Sequence, residues 1–272
     1  MGNVTSYKNK KYMVPDLAIP KTNLEEPTDY NKCEKVYFAF IDVLGFKRTY
    51  DAGQIKKQTD IIINNEPNKK YKDVFNYYFR LMQAAKLMQS KNLRYAGQTS
   101  DSLYFYTDRI DLLAEFLKIF SVFNMFSMSK DVFFRGGIAK GQLFTKESYQ
   151  FYGDSVINAY LLESDIAKQP AIYVDEKTAS DLLVELEKPE NKKIKSILET
   201  DNKRKYIKPF NALTNNDIRD LLNDEIELEE FDLQKIGELI SRNRQSFEFH
   251  PSTFAKYSFL EDKYNSFLKE QK

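Results

Sequence analysis

A chain of 272 residues with 41 basic and 40 acidic side chains is long enough for one large core with appendages and too short for two generous domains. Its net charge of +1 removes the electrostatic case for a broad nucleic-acid surface, so no nucleic-acid partner is expected. The single cysteine, Cys33, can form no intramolecular disulfide, and no apolar run approaches the roughly 18 residues of a membrane helix, so a reducing, cytoplasmic setting without a membrane partner fits.

Residues 1 to 34 mix Lys, Asn, Pro and Glu without periodicity and read as a tail or surface wrap. The opening Met1 to Ser6 matches the myristoylation pattern, a match that short motifs produce by chance. The apolar run from Val36 to Ile41 then drives straight into Asp42, with Gly45 three residues on. A charged oxygen ligand at a strand tip, followed by a glycine turn whose N–H groups face an anion, suits a divalent metal beside phosphates. After a polar stretch from Gln54 to Lys70, Val74, Tyr78, Leu81, Ala85 and Met88 fall at helical spacing.

Leu93 to Thr107 reads as strand, turn, strand, with Asp101 at the tip. Two carboxylates converging in a low-dielectric cleft repel each other unless a cation sits between them, so Asp42 and Asp101 together point to Mg²⁺ or Mn²⁺. Either residue alone reads equally well as a helix N-cap or a hairpin-turn residue. Asp111 to Met128 is a helix apolar nearly all round, which calls for cover by the core and, for the remainder, by a dimer contact. Val132 to Ile138 is strand-like, and Arg135 inside it must be paired or reach solvent. It contacts either a triphosphate oxygen or an acidic neighbour. Lys140 reads as solvated.

Helical spacing returns at Val156, Tyr160 and Ser164, then a short strand Ala171 to Val174 and a helix from Glu176. This alternation implies an α/β sandwich, one mixed sheet with helices packed on a face. Beyond Glu187 the chain turns highly charged, with one or two solvent-facing helices over 217 to 243. His250, before Pro251, reads as the neighbour of a helix cap. With no other histidine available to activate Ser100 or Ser102, serine-type chemistry is not expected.

The order of Phe40-Ile41-Asp42-Val43-Leu44-Gly45-Phe46, Thr99 to Tyr106, Phe133 to Gly141 and Tyr152 to Glu163 resembles the class III nucleotidyl cyclases. It is more similar still to their bacterial anti-phage branch, the pyrimidine nucleotide cyclases of Pycsar systems, and the likeness extends to Tyr206 to Phe210 and Lys256 to Asn265. The resemblance implies an α+β sandwich with a ferredoxin-like palm over residues 35 to 187, a tail before it and a charged, mostly helical extension over 188 to 272. It implies cyclisation of a nucleoside triphosphate to a 3′,5′-cyclic nucleotide and pyrophosphate, with two Mn²⁺ or Mg²⁺ ions on Asp42, Asp101 and the Ile41 carbonyl. Backbone amides from Val43, Leu44, Gly45 and Phe46 would cradle the phosphates. The active site would form between two head-to-tail protomers, with Arg135 and the 153 to 163 helix facing the metal residues of the partner, and a separate effector would read the product.

Two departures refine that reading. Aligned on Gly153, Ala159 and Glu163, the family's transition-state Asn and Arg positions fall on Ile157 and Leu161, and Asn158 is one residue out of frame. This favours the pyrimidine branch and keeps open a catalytically degenerate nucleotide sensor. Where purine cyclases carry a base-reading Lys, four residues before the second metal Asp, this chain has Gly97. UTP or CTP is therefore expected over a purine, with Tyr95, Gln98 and Thr99 as candidate base contacts.

Overall fold

The computed structural model describes residues 31–44, 67–88, 94–146, 150–201, 203–222 and 226–271, all within the unit 31–272. Strand β1 (Asn31–Val43) begins ahead of the apolar run and is followed by α1 (Pro67–Ala84), β2 (Arg94–Thr99), β3 (Ser102–Thr107), α2 (Ile110–Ser129) and β4 (Phe134–Lys146). The sheet order β2-β3-β1-β4 is antiparallel throughout, which is the βαββαβ ferredoxin-like palm. Then come β5 (Gln150–Tyr152), α3 (Asp154–Leu161), a π-helical turn (Leu162–Ile166), β6 (Ile172–Val174) and α4 (Glu176–Glu185). Strands β7 (Leu198–Asp201) and β8 (Arg204–Ile207) extend the sheet on the far side of β6, which pairs parallel to β4. The stretch after Glu187 therefore adds two strands to the palm before its helices α5 (Asn215–Leu222), α6 (Leu233–Ser246) and α7 (Pro251–Glu270).

Side-chain alternation along β1 sorts the structure into two faces. Tyr37, Ala39, Ile41 and Val43 join Leu103, Phe105, Phe134 and Ile138 in the main core beneath α1 and α2. Phe38 and Phe40 point the other way, with Tyr104, Tyr106, Ala139 and Phe151, toward α3. Asp42, next in the alternation, shares that second face. The aromatic rings there are mutually packed, with Phe38 5.0 Å from Phe151 and Tyr104 4.8 Å from it, centroid to centroid. Burial pushes the Tyr106 phenol up to about 12 and the Tyr104 phenol higher, so this face carries neutral hydroxyls.

Helix α2 is buried on most of its circumference by the sheet, α1, α4 and α6, so its apolar surface is satisfied within one chain. That overturns the expectation of a dimer contact there. At 20 residues it also reaches membrane-span length, against the reading of the sequence, but 83% of its apolar window is buried in the core. A second, smaller core joins the end of α2 to the C-terminal helices through Met125, Met128, Phe133, Ile236, Ile240, Leu260 and Phe267. Helix α3 lies directly on β4 at Gly137, where a β-carbon would run into the Ala159 carbonyl and the Leu162 side chain. Gly137→Ala should lower stability by roughly 1–3 kcal/mol through overpacking. The midpoint of urea unfolding measures it, and an unchanged midpoint would mean that α3 can lift from the sheet at no cost.

Candidate active site

Asp42 stands at the end of β1 because the strand is paired on both sides to its tip, opposite Ser102 of β3 and Arg135 of β4. The Ser102 hydroxyl donates to Asp42 Oδ1 at 3.1 Å, and the Arg135 guanidinium lies 3.8 Å from Oδ2. Asp101 arrives through the two-residue β2–β3 turn Ser100-Asp101, in which Ser100 adopts the left-handed conformation at φ 58°. Its carbonyl accepts the Val43 N–H at 3.3 Å, so the turn is fastened beside the Asp42 strand end. The two sequence-predicted carboxylates are thus brought to neighbouring positions. Asp42 keeps 20% of its side chain exposed, and Asp101 is half-buried.

Arg135 is held within its own chain. Its guanidinium sits 2.6 Å from Glu163 Oε1 and 3.5 Å from the Ala167 carbonyl, with 25% of the side chain exposed and Glu163 only 5%. Within one protomer this strand arginine pairs with Glu163 and lies near Asp42. Glu163, which comes from the π-helical turn after α3, and Ser102 are the site residues that the sequence reading missed as partners. The two-residue turn sets Ser102 opposite Thr99, whereas the register that sets it opposite Asp42 joins β3 to the distant β1, and no local signal marks it. Nothing local in the sequence marks Glu163 as the mate of Arg135.

Other expected residues are placed differently. The Leu44 N–H donates to the Phe133 carbonyl at 2.8 Å and the Val43 N–H to Asp101, so neither amide is free for a phosphate. The cause is that β1 stays in register with its neighbours to its end. Gly45 and Phe46 lie outside the described residues. Ile41 is fully buried and registered with Leu103 on one side and Gly136 on the other, which keeps its carbonyl inside the sheet, short of the tip. Gln98 shares the alternation of Ala96 toward the helices and donates to the Ser100 carbonyl at 2.6 Å, away from the Asp42 face. Thr99 is exposed on the Asp42 side. Tyr95 packs on Tyr104 and Tyr106, at 5.9 and 6.0 Å between centroids. At position 97 a β-carbon would lie 2.5 Å from the Tyr104 hydroxyl, so a side chain there requires the tyrosine rings to move. Lys140, expected to be solvated, forms an ion pair with Asp181, which also accepts from the Tyr37 hydroxyl at 2.7 Å.

On α3, Ile157, Tyr160 and Leu161 are 58%, 52% and 43% exposed and share one helical face. The π-helical turn that shifts the helical register begins at Leu162, so it does not bring Asn158 into the place of Ile157. The Tyr160 ring stands edge-on to Phe40 at 5.7 Å, which carries this apolar stripe to within two residues of Asp42.

Hollows among the described residues lie elsewhere: one of about 470 Å³ between β8 and α7 is lined by Lys208, Phe210 and Lys263, one of about 530 Å³ by Asp175, Lys203 and Arg204, and one of about 670 Å³ by Lys35, Lys140 and Lys177. Asp42 lines none of the three. The carboxylates of Asp42 and Asp101 are hard oxygen donors of the kind Mg²⁺ and Mn²⁺ take. Among the described residues no group of three or more His, Cys, Asp or Glu is placed to hold a metal ion.

No family model matches the chain, and no curated protein matches it. Among solved structures it is similar to the adenylyl cyclase CyaB from P. aeruginosa, at 13% identity and a TM-score of 0.42 over 65% of this chain and 93% of that one. It is similar also to the monomeric guanylyl cyclase domain of the RhoGC fusion protein from the aquatic fungus Blastocladiella emersonii, at 15% identity and 0.40 over 66% and 96%. A third likeness is to the guanylate cyclase domain of RhGC from Catenaria anguillulae in complex with GTP, at 14% and 0.37 over 65% and 94%. All three are distant.

Glu163→Gln keeps the shape of the side chain and removes the closer charge from Arg135. It should cost about 1.5–3 kcal/mol of folding stability, as expected for loss of a charge-assisted contact in a nearly dry position. Chemical denaturation measures this, and a cost near zero would show Arg135 fully satisfied by Asp42 and the Ala167 carbonyl.

Proposed function

We propose that this chain is a nucleotidyl cyclase of the class III type, which converts a nucleoside triphosphate to a 3′,5′-cyclic nucleotide and pyrophosphate. The observation that carries the reading is the placement of Asp42 and Asp101 at one end of a ferredoxin-like palm, where the Asp101 carbonyl accepts the Val43 N–H next to Asp42. In the reaction the ribose 3′-oxygen attacks the α-phosphorus, the bond to the β-phosphate bridging oxygen breaks, and the hydroxyl proton leaves to water. Asp42 and Asp101 would hold the divalent ions, and ions bound there lower the pKa of the 3′-hydroxyl and offset the charge of the triphosphate. Ser102 fixes the orientation of the Asp42 carboxylate, and Glu163 keeps Arg135 beside it.

The substrate proposed is a pyrimidine nucleotide, UTP before CTP. The absence of any side chain at position 97, and the tyrosine rings that fill its place, support a site without a purine-reading cation. The cytoplasm is the proposed location, and anti-phage signalling through a separately encoded effector the proposed role; both rest on the resemblance of the sequence. A catalytically degenerate nucleotide sensor is the second reading, favoured by Ile157 and Leu161, which can donate no hydrogen bond to a transition state. A palm-type polymerase or nuclease finds no basic track in a chain of balanced charge.

Incubation of the purified chain with each of the four NTPs and Mn²⁺, with products identified by mass, tests the proposal. Cyclic UMP is the expected main product, and Asp42→Ala or Asp101→Ala should lower its formation by about 100-fold or more while the circular dichroism spectrum is kept. Nucleotide binding without any cyclic product would leave the sensor reading, and cyclic AMP alone would overturn the substrate.

A homodimer is proposed as well, supported by the exposed face of Ile157, Tyr160 and Leu161 beside the site. Sedimentation should give a dimer for the parent chain and a folded monomer for the double variant Ile157→Asp, Leu161→Asp. A monomeric parent with undiminished turnover at high dilution would remove the shared site.

A further inference from the structure

The C-terminal helices meet the rest of the chain at one particular corner. Leu44, two residues past Asp42, packs against the smaller core formed with α6 and α7, and its N–H is held by the Phe133 carbonyl at 2.8 Å. Phe133, two residues before Arg135, takes the ring of Tyr257 edge-on at 5.5 Å, and Tyr257 in turn stacks on Phe247 at 5.7 Å. The turn that leads into β4 is gripped a second time. Asp131, in the left-handed conformation at φ 60°, accepts from the Asn243 side-chain amide of α6 at 2.6 Å and faces Lys70 of α1 at 3.4 Å with its other oxygen. Both members of the Asp42–Arg135 pair therefore stand two residues from a residue that the α6–α7 hairpin holds. The described contacts of the hairpin in this corner stop at Leu44, Phe133 and Asp131, behind the carboxylates.

We infer that the α6–α7 hairpin is a brace for the tip of β1, with Tyr257 and Asn243 as positioning residues. They fix the Leu44–Phe133 junction and through it set the affinity of the Asp42–Asp101 tip for a metal-bound triphosphate. The affinity half of this rests on the function proposed above; the mechanical half does not. The physical reason is that a strand end frays unless its last hydrogen bonds are covered. Here the last backbone bond of β1 to the start of β4 is covered from the hairpin side by Leu44, Phe133 and Tyr257. A carboxylate two residues from a fraying end samples many positions, and a metal–phosphate ligand loses affinity by the fraction of time the site is misplaced.

The test compares Tyr257→Leu and Asn243→Ala with the control Tyr257→Phe, which keeps the ring, in the full chain. Amide hydrogen exchange resolved to single residues reads the brace, and titration with Mn²⁺ in the presence of UTP reads the site. In both variants the Leu44 amide should exchange about 10-fold faster or more, with Phe38 and Ala39 of the same strand unchanged. The dissociation constant should rise about 10-fold, while Tyr257→Phe behaves as the parent. Leu44 as protected as in the parent would overturn the inference, as would acceleration shared equally by Phe38 and Ala39, which means global destabilisation. Faster exchange at Leu44 with unchanged affinity would also overturn it. Should the parent chain bind no Mn²⁺ and UTP, the proposed function fails, and the exchange of Leu44 still decides whether the brace exists.

Discussion

The pairing of β1 on both of its edges, out to its last residues, is the constraint from which the rest of the structure follows. A strand held by β4 along most of its length and by β3 from Tyr37 to Asp42 cannot rotate there, so the alternation of its side chains is fixed. Ile41 and Val43 go to the helices, Phe38 and Phe40 to the aromatic face, and the one charged residue in the series is left at the rim. A slip of one residue would bury Asp42 under α1 and α2 and put Ile41 in its place. The aromatic packing of Phe38 with Tyr104, Tyr106 and Phe151 works against that slip, since each ring is seated by its neighbours.

The same pairing decides what the site can offer a ligand. Because Val43 and Leu44 give their N–H groups to Asp101 and Phe133, the backbone at the tip serves to join three segments and is not a phosphate cradle at those residues. Electrostatics then falls to side chains. Arg135 is close enough to Asp42 to feel it but closer to Glu163, and an arginine so placed fixes geometry more than it supplies net attraction. What remains for a ligand is the carboxylate of Asp42 at the strand tip, near the apolar residues that α3 exposes.

Much of this was legible in the sequence. The alternation of β1, the helical periodicity of Val74 to Ala85, the all-round apolar α2 and the tip position of Asp101 are local patterns, and local patterns survive into the fold. Contacts that depend on where segments from distant parts of the chain meet were not legible. The union of Arg135 with Glu163 spans a helix and a π-helical turn, and the grip of Asn243 on Asp131 crosses more than a hundred residues. The two strands β7 and β8 were hidden for another reason: they are four residues each and highly charged, too short for alternation to rise above the surrounding polar sequence. Helix α2 was read as core for the most part, and the remainder assigned to a dimer contact is covered by its own chain, through the sheet and helices α1, α4, α5 and α6.

The Arg135–Glu163 pair carries a consequence for how such a chain can change over time. In a position where one partner is 5% exposed, loss of either charge alone strands the other without water to solvate it. The two positions are therefore bound to a common history: single substitutions at either meet a stability barrier, and passage to an apolar pair requires both together. Such a double exchange would relieve the barrier and also strip Asp42 of its only described cationic neighbour within 4 Å. A descendant that made it would keep the palm and, one charge of each sign being lost together, the net charge of the corner, while Asp42 lost its guanidinium neighbour. Divergence at residues 135 and 163 is thus a paired event, by which one fold can change the surroundings of its strand tip without passing through an unfolded intermediate.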